Sequence, residues 1–110
     1  MKTYEHFHGE TQIQDIGQEL RKIVRQEKTA FKILTGYGST SGKSDSKFAA
    51  LKALSRMERE GLIKGFVPGE VKRSLLSDTD PYYKAKQNYI SILKADSDYG
   101  NDGIIFVFIT

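Results

Sequence analysis

The chain ends in IIFVFIT, an unbroken apolar run from Ile104 to Ile109. β-branched and aromatic residues at that length read as a strand covered on both faces. The rest of the chain must supply that cover, and its pattern alternates. Tyr4 to His8 reads as a short strand. Ile13, Ile16, Leu20, Ile23 and Val24 recur at helical spacing and predict an amphipathic helix to about Glu27. Thr11 and Gln14 are spaced as a capping box before it. Phe31 to Leu34 is a second strand. Phe48, Leu51, Leu54 and Met57 mark the buried face of a second helix, opened by Ser44 or Asp45 and stopped at Gly61.

Leu62 to Val67 reads as a third strand, closed by Pro68-Gly69. Glu70 to Thr79 has only Val71, Leu75 and Leu76 as anchors and takes no clear assignment. Asp80-Pro81 opens a further helix with Tyr82, Ala85, Tyr89 and Leu93 on one face. Asp96 to Gly103 reads as a solvated turn before the last strand. Strands alternating with helices predict an α/β fold with parallel neighbours and helical crossovers.

At 110 residues the chain has room for one core and is read as a single domain. It carries no cysteine, which excludes a disulfide-stapled scaffold and every thiolate site. Met1 to Glu10 is polar and unlike a signal peptide, and no apolar run approaches the ~20 residues of a membrane span. The expectation is a cytoplasmic protein with no membrane contact. The net charge of +3 permits an anionic partner without requiring one.

The stretch ILTGYGSTSGKSDSKF, Ile33 to Phe48, joins a strand to a helix through glycines, hydroxyls and lysines. It is not a nucleotide-binding P-loop. Gly42-Lys43-Ser44 supplies the end of that motif, but its first glycine falls on Tyr37. The dinucleotide fingerprint fails at Ser41. A helix N-terminus still offers free N–H groups and a favourable dipole to an anion. Gly36, Gly38 and Gly42 allow close backbone approach, Ser39, Thr40, Ser41 and Ser44 offer hydroxyls, and Lys43 and Lys47 add charge. The competing reading is a plain strand-to-helix connector.

Other clusters carry less. His6 and His8 would share one side of the first strand, but no third convergent ligand is evident, so no metal is assigned. Asp96, Asp98 and Asp102 begin like a calcium loop, which then fails at Gly100 and Val107. Tyr82 to Tyr89 interleaves aromatics and lysines. The tyrosines are expected on the sheet, with Lys84 and Lys86 in water.

Two of these motifs together carry a family likeness. EHFHGE, Glu5 to Glu10, precedes an amphipathic helix, and ILTGYGS, Ile33 to Ser39, follows one strand later. Their order resembles the Smr (small MutS-related) domain, with its L-D-L-H-G strand end and later H-G-x-G loop. The likeness spans nearly the whole chain apart from a helical insertion at about 71–102. It implies a two-layer α/β sandwich with a four-stranded mixed sheet, similar to the C-terminal domain of bacterial translation initiation factor three. It also implies DNA or RNA binding, often with nicking endonuclease activity.

Carried over by position, His8 and Gly9 match the first motif, and Gly36 and Gly38 the second. His8 is then the candidate catalytic group, and Mg2+ the cofactor such cleavage would call on. The candidate phosphate contacts are Gly9, Thr35, Gly36, Tyr37, Gly38, Ser39, Gly42, Lys43, Ser44 and Lys47. The family's acidic residue is His6 here, its second histidine is Thr35, and its basic residue is Tyr37. The alternative is a protein-interaction or structural module that kept the fold without the chemistry.

Overall fold

The computed structural model describes residues 1–36 and 45–110. Among them, strands β1 (Lys2–Tyr4), β2 (Ala30–Leu34), β3 (Gly65–Pro68) and β4 (Ile104–Phe108) form one mixed sheet in the order β1-β2-β4-β3. β1 runs parallel to β2, and β4 runs antiparallel to both β2 and β3. Helices α1 (Ile16–Gln26) and α2 (Asp45–Arg59) cover one face. Two short helices, α3 (Tyr83–Asn88) and α4 (Ile90–Lys94), lie within the segment between β3 and β4.

The terminal apolar run explains this arrangement. Side chains alternate across a strand. Ile105 and Val107 therefore join Phe31, Ile33 and Phe66 under Ile16, Leu20 and Ile23 of α1 and Ala50, Leu54 and Met57 of α2. Ile104, Phe106 and Phe108 turn the other way and meet Val67, Val71, Leu93 and Tyr99. Tyr89 stacks flat on Phe108 with ring centroids 3.9 Å apart. The sheet and its two long helices make the expected two-layer sandwich, and the 71–102 segment closes the sheet's second face.

Several local expectations need correction. The first strand stops at Tyr4, and residues 6–10 form a turn. Gly9 sits there at φ +87°, a conformation that favours glycine. His6 and His8 are thus not strand neighbours on one side. The Thr11 hydroxyl donates to the His6 carbonyl at 2.8 Å, so it closes that turn rather than capping a helix. Phe48 is 70% exposed instead of lining the buried face of α2. The third strand starts later, at Gly65, and Gly69–Arg73 forms a 3-10 helix. The single helix expected after Pro81 is broken in two at Tyr89.

The 96–103 turn is not merely solvated. Tyr99 is buried, and Asp96 and Asp98 both accept hydrogen bonds from Lys32 of β2, at 2.9 and 2.7 Å. Asp102 pairs with Arg73. Lys86, expected in water, donates to the carbonyls of Val71 and Ser74 at 2.8 and 3.0 Å. It anchors α3 to the segment before it. These two hydrogen bonds offset the desolvation of a charged amine.

Candidate functional site

The strand directions decide where a site can form. β1 and β2 are parallel neighbours, so the turn carrying His8 and Gly9 and the chain leaving β2 at Thr35 open on the same end of the sheet. β3 shares their direction and delivers Gly69–Arg73 to that end. The first turn of α2 returns to it, as the Gly36 amide donates to Ser46 Oγ at 3.3 Å. Open α/β sheets place ligands at such carboxyl ends. Tyr37, Gly38, Ser39, Gly42, Lys43 and Ser44, candidate phosphate contacts from the sequence, lie outside the described residues, as do Thr40 and Ser41.

The described candidates differ in what they present. His8 and Gly9 are exposed. Thr35 is fully buried: its amide donates to the Gly103 carbonyl at 2.7 Å, and its hydroxyl makes a second contact to that oxygen at 3.3 Å. Its side chain joins the exit of β2 to the entry of β4 and offers nothing to a ligand, which corrects its place among the phosphate contacts. Replacing it with histidine forces a larger polar ring into a filled site. Thr35→His should destabilise the domain by about 2–4 kcal/mol in a denaturant titration. Unchanged stability would show that the site accommodates the ring.

Lys47 is also engaged. Its Nζ donates to Glu70 Oε2 at 2.5 Å and to the Asp102 carbonyl at 2.9 Å. Arg73 donates to the Gly100 carbonyl at 2.5 Å and to the Asp102 carboxylate. Lys47 and Arg73 are therefore each matched by a carboxylate. Glu70 Oε1 is buried and has no hydrogen-bond partner among the described residues. Beside the β1 turn lies an open groove of about 710 Å³ lined by Glu10, Asp15, Glu19 and Lys22, among others. His6 faces it and pairs with Glu19 at 3.0 Å. More carboxylates than cations line it, which disfavours a phosphate there.

Sequence reasoning missed Glu70, Arg73 and Asp102 at this edge. Their pairing needs the 3-10 helix after β3 and the turn before β4 to meet, which no local pattern encodes. Among the described residues no group of three His, Asp or Glu side chains is placed to hold a metal ion. No helix of the described residues is long and apolar enough to cross a membrane. Comparison with protein-family models, curated proteins and solved structures returned no match.

Proposed function

We propose that this domain binds nucleic acid, DNA or RNA, by phosphate contacts at the sheet end where β1, β2 and the N-terminus of α2 converge. The parallel pairing of β1 and β2 carries the reading, because the turn with His8 and Gly9 and the chain leaving β2 at Thr35 then open on one end. The proposed setting is the cytoplasm. Binding is the part that glycines and a helix N-terminus can perform. Cleavage additionally needs a proton-transferring group. Thr35 occupies the second histidine's place with a buried side chain, and His6 is paired with Glu19. His8 is the remaining candidate.

A phosphate at Lys47 would replace one anion, Glu70, with another. Glu70→Gln should then tighten binding of labelled DNA or RNA, and Lys47→Ala should weaken it and flatten the salt slope by about one unit. Fluorescence anisotropy across a KCl series checks both. If cleavage accompanies binding, His8→Ala should lower it by ~10²–10⁴-fold while affinity holds. The matching of Lys47 and Arg73 by carboxylates favours a second reading, a protein-interaction or structural module. Absence of nucleic-acid binding by the wild type would decide for it.

A further inference from the structure

At the loop edge most of the described cations are already matched. There Lys47 and Arg73 each meet a carboxylate, and Lys32 meets two. The outer face of the helix layer is different. Ile16, Leu20 and Ile23 turn α1 toward the sheet. At 3.6 residues per turn this leaves Lys22 and Arg25 on the solvent side. Ala50, Leu54 and Met57 fix α2 in the same way. Phe48, Lys52, Arg56 and Arg59 then fall on its solvent side, and all four are exposed. Lys28, just past α1, is exposed as well.

Among the described residues, Lys22, Arg25, Lys28, Lys52, Arg56 and Arg59 form no ion pair. The layer's carboxylates are partly spoken for. Glu19 holds His6, Glu60 holds Arg21 at 2.6 Å, and Glu27 accepts from the Tyr4 hydroxyl. Asp45 at the head of α2 and Glu58 near its end stand on or beside this face without such a partner, and Asp15 stands near Lys22 in the groove next to the β1 turn.

We infer that the solvent face of α1 and α2 is a docking surface for a nucleic-acid backbone, with Arg25, Lys52, Arg56 and Arg59 as phosphate contacts and Phe48 as a stacking platform. The inference rests on the nucleic-acid reading above and adds a surface to it. The two helices pack directly, with a Cβ on Gly17 only 3.8 Å from that of Ala53. Packed helices lie roughly 8–10 Å apart. Exposed cations on two such neighbouring helices can reach successive phosphates of one backbone. An exposed aromatic at the head of such a helix has a partner in an unstacked base. A membrane surface would instead favour an apolar belt along the ridge, and here the ridge is charged after Phe48.

The test is anisotropy of a short labelled duplex and of the matching single strand, over a KCl series. The variants are Lys52→Ala/Arg56→Ala and, for equal loss of charge on the other side of the sheet, Lys84→Ala/Lys94→Ala. Losing two phosphate contacts should reduce the salt slope by about two units and the affinity by about 50-fold at 0.1 M salt. The Lys84/Lys94 variant should stay close to wild type. Phe48→Ala should weaken single-strand binding more than duplex binding and leave the melting temperature unchanged, since the ring is 70% exposed. Equal loss in both double variants would overturn the inference in favour of a diffuse field. Full binding in Lys52→Ala/Arg56→Ala, with loss in Lys47→Ala, would overturn this surface while sparing the loop-edge reading. Wild-type binding to phosphatidylserine vesicles and not to nucleic acid would overturn both.

Discussion

Lys32→Met should cost the domain about 2–4 kcal/mol, read as a shift in its denaturant midpoint. Lys32 sits mid-strand in β2, paired with Thr3 on one side and Phe106 on the other, and is only 7% exposed. Methionine keeps the stem packed but removes the amine that Asp96 and Asp98 share. The Asp96 side chain is 15% exposed, so the variant strands a half-buried carboxylate. Asp98 is wetter, which places the estimate below that for a fully buried pair.

The same contacts set a pH dependence. Burial alone would raise the Asp96 carboxyl, but the Asp98 amide and the hydrogen bond and charge of Lys32 outweigh it and hold it below its ordinary 3.8. A depressed folded value means that stability is present above pH 3.8 and is lost as pH falls through the lower folded value. Burial would lower the Lys32 amine, but its bonds to Asp98 and Asp96 raise it above 10.5. That contribution is full below pH 10.5 and is lost as pH rises through the higher folded value. Wild-type stability from this cluster should thus plateau between these limits and fall on the acid side. Lys32→Met should show a shallower acid limb in melts recorded from pH 2 to 7. An acid limb of unchanged depth would remove Asp96 from the account.

Gly69→Ala is expected to be comparably damaging, at about 3 kcal/mol. The reason is contact, not backbone conformation. A Cβ on residue 69 would overlap the Asn101 carbonyl oxygen and stand 3.0 Å from its carbonyl carbon. Both neighbours are backbone and cannot rotate away. The Gly100 amide also donates to the Gly69 carbonyl at 3.0 Å, so the two segments are clasped. Forcing them apart should displace the Asp102 carbonyl from Lys47 and the Gly100 carbonyl from Arg73. The variant should therefore lose stability and, if the loop edge binds phosphate, change its response to Lys47→Ala. A melting temperature equal to wild type would show that the 96–103 turn moves freely.

Much of the architecture was legible from local pattern. The IIFVFIT run announced a strand buried on both faces because period-two alternation puts apolar groups on both sides at once. Ile16, Leu20 and Ile23 announced α1 because an amphipathic stripe is a property of one segment and the water around it. The parallel pairing of β1 with β2 followed from a helix lying between two strands. Short elements were less legible. Tyr4 to His8 alternates like a strand, yet Gly9 and the back-bonding Thr11 fold it into a turn, and Phe7 enters the core from there.

The tertiary structure alone decided which charges are free. Lys32, Lys47 and Lys86 look like surface cations in the sequence, but each is held by an acceptor far along the chain. Lys52, Arg56 and Arg59 look the same and remain exposed. The difference lies in which segments the fold brings within hydrogen-bond reach. Thr35 and Phe48 make the same point. A threonine beside a glycine-rich loop became buried because β4 starts against it, and a phenylalanine at helical spacing became exposed because α2 turned its small Ala50 toward the sheet instead. Local pattern determined the elements, since helices and strands answer to solvent and neighbouring residues. Pairing between distant segments determined the candidate site, since no single segment contains both partners.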